Sequence, residues 1–118
     1  MLSNNLKIKN TAHRYKVYLA YNFLNRARGL LFRKKLAVDE CLLISPCSSI
    51  HTIGMRYSLD IVFIDACGII LEIHEDVKSF RCISSSNKQT RTVVEFRSGS
   101  LKRMGLRLND HLFERGDQ

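Results

Sequence analysis

Leu59-Asp60-Ile61-Val62-Phe63-Ile64-Asp65 is the stretch that most limits what this chain can fold into. In an extended chain, successive side chains point to opposite faces. Ile61 and Phe63 then face one way, Val62 and Ile64 the other. Both faces are apolar, so this strand needs cover on two sides and belongs near the centre of a fold. Ala66-Cys67-Gly68 follows as a turn, after which Ile69, Leu71 and Ile73 alternate with Ile70, Glu72 and His74. That alternation describes a half-buried strand with one wet face, paired with its predecessor as an antiparallel hairpin.

The other segments are short. Leu6 to Ile8 is either a frayed start or a short edge strand, and Tyr15 to Ala20 is a clear β-rich run. Asn22 is placed to cap a short helix over Phe23 to about Leu31. Cys41 to Ser45 is a short strand that Pro46, lacking a donor hydrogen, brings to an end. Ser48 to Met55 is irregular, and Lys78 to Lys88 is a looser stretch with its loop tip at Ser84-Ser85-Ser86-Asn87. Thr90 to Phe96 forms a further strand, and Ser100 is placed to cap a short helix running to Met104 or Leu106. His111 to Glu114 closes the chain as a last short strand. The expectation is a mainly β fold, an antiparallel sandwich or distorted barrel with one or two short helices.

The 118 residues make one ordinary domain, here taken as residues 1–118, large enough to bury its own core. No apolar run reaches the about 20 residues that span a bilayer, so no membrane span is expected. The first residues are polar and lead into Lys7 and Lys9 with no apolar signal core, so the cytoplasm is the expected compartment and the four cysteines are expected reduced. Net charge is +8, and it is uneven: residues 1–38 hold nine Lys or Arg and no acid. A basic module that binds nucleic acid or an anionic partner through residues 7–35 is therefore one reading. It is not favoured, because these cations are not interleaved with the aromatics that stack single-stranded bases.

Pro46-Cys47, Ile50-His51-Thr52, Gly54-Met55 and Leu59 to Asp65 together resemble the signature of the domain-of-unknown-function family 192, DUF192. Ala27 to Arg33 is similar to that family's upstream Arg/Gly-Leu-Met segment, Val93-Val94-Glu95-Phe96 with Ser98-Gly99 to its late strand and turn, and Gly105 to Leu112 to its closing turn. The likeness runs over about residues 15–114. It implies a mainly β, sandwich-like fold of bacterial type and no assigned activity. Where the family often has proline this chain has Ser58, and Asn109 stands where glycine precedes the late Asp110; asparagine tolerates the left-handed conformation better than most residues.

Several residue sets carry potential chemistry. Cys41, Cys47 and His51 are spaced C-x5-C-x3-H, with His74 or Cys67 as a fourth metal donor. The spacing matches no compact zinc signature and the set is incomplete, so neither a metal nor any other cofactor is expected. Cys41 reads better as a small buried apolar residue. Cys47 and His51 are an alternative nucleophile and base for a hydrolase or transferase, with Asp60 to orient the ring. A non-enzymatic accessory module that binds a small polar ligand or a protein partner is the leading reading, with an enzyme second. Its site is expected around His51, Thr52, Met55, Arg81 and Glu95, where the irregular loop meets the strands. Glu95 and Arg81 are either a ligand-binding pair or a surface ion pair. Asp60 and Asp65 lie roughly 16 Å apart at the two ends of an extended strand, too far to share a proton, and are expected to hold turns instead.

Overall fold

A computed structural model describes residues 2–8, 14–20, 35–51, 57–79 and 81–114. In chain order the elements are β1 (Leu2–Lys7), β2 (Arg14–Ala20), β3 (Glu40–Ile44), β4 (Ser49–His51), β5 (Leu59–Ile64), β6 (Ile70–Val77), β7 (Cys82–Ser84), β8 (Thr92–Arg97) and α1 (Ser100–Met104). Six strands form one sheet in the order β1-β2-β3-β8-β5-β6, while β4 and β7 form a separate two-stranded ribbon. The helix proposed from Phe23 to Leu31 lies outside the described residues. No helix among the described residues is long and apolar enough to cross a membrane.

The β5–β6 hairpin is as its sequence dictates. All six residues of β5 are buried, and β6 pairs with it antiparallel. Asp65 builds the turn by accepting from the backbone N–H groups of Cys67 and Ile69, both at 2.9 Å. Gly68 takes φ 84, in the left-handed region glycine enters without steric cost. The other flank of β5 pairs antiparallel with β8, and β8 with β3. The mainly β, layered expectation therefore holds, with one antiparallel expectation replaced: β2 and β3 pair parallel. Parallel neighbours need a long crossover, and residues 21–39 supply the length for it.

Side chains sort onto two faces. Val17, Cys41, Val62, Ile64, Val94 and Phe96 point to one, where Leu101, Met104, Leu106 and Leu112 cover them. Leu42, Ile44, Leu59, Ile61, Phe63 and Val93 form a second core on the other, against which Ile50 of β4 and Ile83 of β7 pack. The ribbon is thus a second layer on the sheet. Isolated bridges Ile8–Phe113 and Ile69–His111 bring the C-terminal segment to both sheet edges, but no ladder among the described residues closes a barrel. These bridges stand where a last regular strand was expected from His111 to Glu114.

Asp60, 1% exposed, joins the layers on the first face. One carboxylate oxygen accepts from the N–H of Asp76 at 2.9 Å, the other from that of Leu101 at 3.0 Å. Helix α1 has Gly99 as its N-cap and no capping side chain of its own, so Asp60 replaces the cap expected from Ser100. Asn109 adopts φ 71, and its turn is held by Asp110 accepting from the N–H of Arg107 at 3.1 Å. This is the left-handed asparagine anticipated in place of glycine.

Candidate functional site

Glu95, one of the candidate residues, lies in a row across the sheet on the face the ribbon covers. Register pairs Tyr18 with Leu42, Leu42 with Glu95, Glu95 with Ile61, and Ile61 with His74. Paired residues share a face, so Glu95 stands between two aliphatic side chains, with Val93 two positions away on its own strand. Glu95 is 4% exposed. Its Oε2 is fully buried with no hydrogen-bond partner among the described residues. Burial in these apolar surroundings disfavours the charged carboxylate and pushes Glu95 up from 4.5 to about 8. At neutral pH it is mostly a protonated, uncharged acid. Glu95 is inside the fold, so the surface ion pair, one of the two readings of this residue, does not hold.

His74 ends the row on β6, two strands from Glu95, a Cα separation of roughly 10 Å. Its ring meets Phe63 edge to face, with centroids 5.6 Å apart. Its Nε2 is buried without a hydrogen-bond partner and lies 3.6 Å from Glu72 Oε1. Glu72 is already engaged. Its Oε2 accepts from the Ser85 hydroxyl and from the Ser86 N–H at 2.9 Å, which ties β6 to the loop after β7. The Ser85 hydroxyl, then the Ser86 amide, hold this carboxyl below its ordinary range against the opposing effect of burial. At the other end, Tyr18 donates to Glu40 Oε2 at 2.8 Å. Glu95 and His74 are therefore the two groups of the row with buried polar atoms left unmatched.

Sequence reasoning named both groups, Glu95 as a site residue and His74 as a fourth metal donor, but did not place them in one row. His74 sits in an apolar–polar alternation that reads as a wet face, and only the pairing of Ile61 with His74 aligns it with Glu95. Of the other predicted site residues, Arg81 is exposed, and it immediately precedes Cys82, whose backbone pairs with His51. Arg81 and the backbone of His51 are thus at one end of the ribbon that covers the face carrying Glu95. Thr52 and Met55 lie outside the described residues.

The cysteines separate. Cys41 is fully buried among the first-face residues, where burial and then the neighbouring Glu40 push its thiol far up. Cys47 packs against the second face, and its thiol donates to the backbone oxygen of Ser49 at 2.9 Å. Cys41 and Cys47 therefore face opposite sides of the sheet. No group of three potential ligands converges among the described residues. Asp60, the proposed orienting acid, has its carboxylate committed to the two backbone N–H groups on the first face.

A family model for DUF192, described as "Uncharacterized ACR, COG1430", matches residues 5–113. The chain belongs to the DUF192 family. No curated protein matches it. Two solved structures share the fold. A protein of unknown function from Novosphingobium aromaticivorans DSM 12444 aligns with a TM-score of 0.80 at 21% identity, over 96% of this chain and 85% of its own. A protein from Sinorhizobium meliloti 1021, named as a "putative transcription regulator", aligns with a TM-score of 0.77 at 27% identity, over 92% and 88% of the two chains. The residues matched by the DUF192 model include every strand of the sheet and ribbon from β2 onward.

Proposed function

We propose that this DUF192 domain is a binding module for a small polar ligand, held between the six-stranded sheet and the β4–β7 ribbon with Glu95 as its polar anchor. The observation that carries the reading is the unmatched Oε2 of Glu95, buried in an apolar face. A buried polar atom without a partner costs about 1–3 kcal/mol. Folds tolerate such a cost where the group serves a site, and a ligand that supplies the missing hydrogen bond recovers it. His51 on β4, Thr52 and Met55 after it in sequence, and Arg81 just before β7 complete the site in this proposal.

The test is a thermal-shift screen of small polar compounds against the wild-type chain, with hits repeated on Glu95→Leu. Leucine fills the same place without polar atoms, so the fold survives. Hits on wild type that Glu95→Leu abolishes support the site. Hits that the variant retains place binding elsewhere, and His51→Ala and Arg81→Ala then find it.

A second reading has support of its own. The net charge of +8 and the name of the Sinorhizobium meliloti structure both favour nucleic acid as a partner through residues 7–35. Duplex binding that weakens steeply with added salt would support it. Absence of binding at low salt removes it.

A further inference from the structure

We infer that the Glu95 site selects an uncharged ligand that presents a hydrogen-bond donor beside an acceptor, as an amide or a lactam does, and that it discriminates against cationic amines. The inference rests on the proposed binding site and adds the chemistry of its occupant.

The surroundings of Glu95 decide between these two ligand classes. An amine would have to form an ion pair with the carboxylate, and both charges would then be taken out of water. In a buried setting the desolvation cost offsets the attraction unless further hydrogen bonds satisfy both ions. Here the lateral neighbours are Leu42 and Ile61, and Val93 lies along the strand, none of which offers such a bond. The ionisable groups on this face include Glu40 of β3, which accepts from the Tyr18 hydroxyl at 2.8 Å, and, at the edge of the ribbon, the exposed Arg81 and Cys82. On β2, Lys16 lies 5.3 Å from the centroid of the Tyr18 ring. On β6, Glu72 is held by Ser85 and Ser86, and His74 stands two strands away. On β8, Arg97 is half-buried two positions beyond Glu95 and makes no ion pair with it, while Tyr57 and Cys47 pack from the flanking segments. Burial alone sets the state of Glu95, and that state is the neutral acid.

A neutral carboxyl has one O–H to donate and one carbonyl oxygen to accept. An amide carries the complementary pair side by side, C=O against O–H and N–H against C=O, so a cyclic pair of hydrogen bonds forms with no net charge buried. The apolar body of such a ligand lies over Ile61. Beyond Ile61, the unmatched Nε2 of His74 is the group that a second polar atom would meet.

The experiment uses matched probes on the full chain at neutral pH: isobutyramide and δ-valerolactam against isobutylamine and piperidine. Binding is read from the methyl NMR signals of Ile61 and Val93 and from thermal shift, on wild type, Glu95→Gln and Glu95→Leu. The expected result is that the amide and lactam bind wild type more tightly than their amines. Their affinity should fall about tenfold per pH unit above the Glu95 midpoint, as the donor proton is lost. Glu95→Gln keeps a donor and an acceptor and should retain amide binding, whereas Glu95→Leu should lose it. Tighter amine binding that Glu95→Gln abolishes overturns the inference and leaves the binding site standing. No wild-type binding of any probe at these methyls, with no hits in the wider screen either, overturns both.

Discussion

Replacing Glu95 with glutamine should change how stability depends on pH, and the size of the change follows from burial. Glu95 ionises near 8 in the folded chain against an ordinary 4.5. Between those values the folded state keeps a proton that the unfolded state has released. Stability therefore falls as pH rises, by about 1.4 kcal/mol per unit. The full effect is present below 4.5 and is lost progressively up to about 8, above which both states are ionised. Over the whole interval the loss is on the order of 5 kcal/mol, and by pH 7 it is on the order of 3 kcal/mol. Such a loss is a large share of the roughly 5–15 kcal/mol typical of domains. Glutamine has nearly the same shape and no proton to lose, so Glu95→Gln should be free of this slope. A constant penalty for its own buried amide shifts the whole curve without tilting it. The assay is urea unfolding of both proteins, under reducing conditions, across the same pH interval. The difference in unfolding free energy should move in favour of Glu95→Gln by on the order of 3 kcal/mol from acid to neutral pH. Parallel curves would refute the reasoning, because they would mean that Glu95 ionises normally and is not in an apolar environment.

Other substitutions test the frame around the site. Asp60→Ala leaves the N–H groups of Leu101 and Asp76 without their acceptor, and should destabilise the fold by about 3 kcal/mol, with faster amide exchange at those two positions. Glu72 is held below its ordinary range, so its contribution is present above that range and lost as pH falls through the folded value. Amide exchange at Ser86 should accelerate in acid, and Glu72→Gln should show the same loss at neutral pH. Iodoacetamide should label the exposed Cys67 and Cys82 first, Cys47 more slowly because its thiol is engaged with Ser49, and Cys41 only on unfolding. Fastest labelling at Cys47 would instead revive the thiol-enzyme reading.

Much of this architecture was legible in the sequence, for identifiable reasons. A run of alternating apolar faces closed by Asp65 and Gly68 admits little besides a central hairpin strand. The same logic gave β3 before Pro46, β8 around Val93 and Val94, and the short helix between Gly99 and Gly105. Local signals fail where pairing is remote. The β4–β7 ribbon has three residues per strand, too few for any periodicity to register, and the register of Ser49 with Ser84 spans the whole hairpin between them. The parallel contact of β2 with β3 depends on a crossover, which leaves no trace in either strand. The site divides in the same way. Glu95 stands out as a charge inside an apolar strand, but its neutral state depends on Leu42 and Ile61 from two other strands. Asp60 could be assigned to a turn, while its role as cap of a helix forty-one residues on could not.

The most direct test of a neutral, buried anchor is the NMR titration of the Glu95 side-chain carboxyl carbon in the ligand-free chain. The account predicts a midpoint near 8. A midpoint at the ordinary 4.5 would contradict it, because a carboxyl that ionises there is solvated or paired and cannot serve as the neutral anchor of the site.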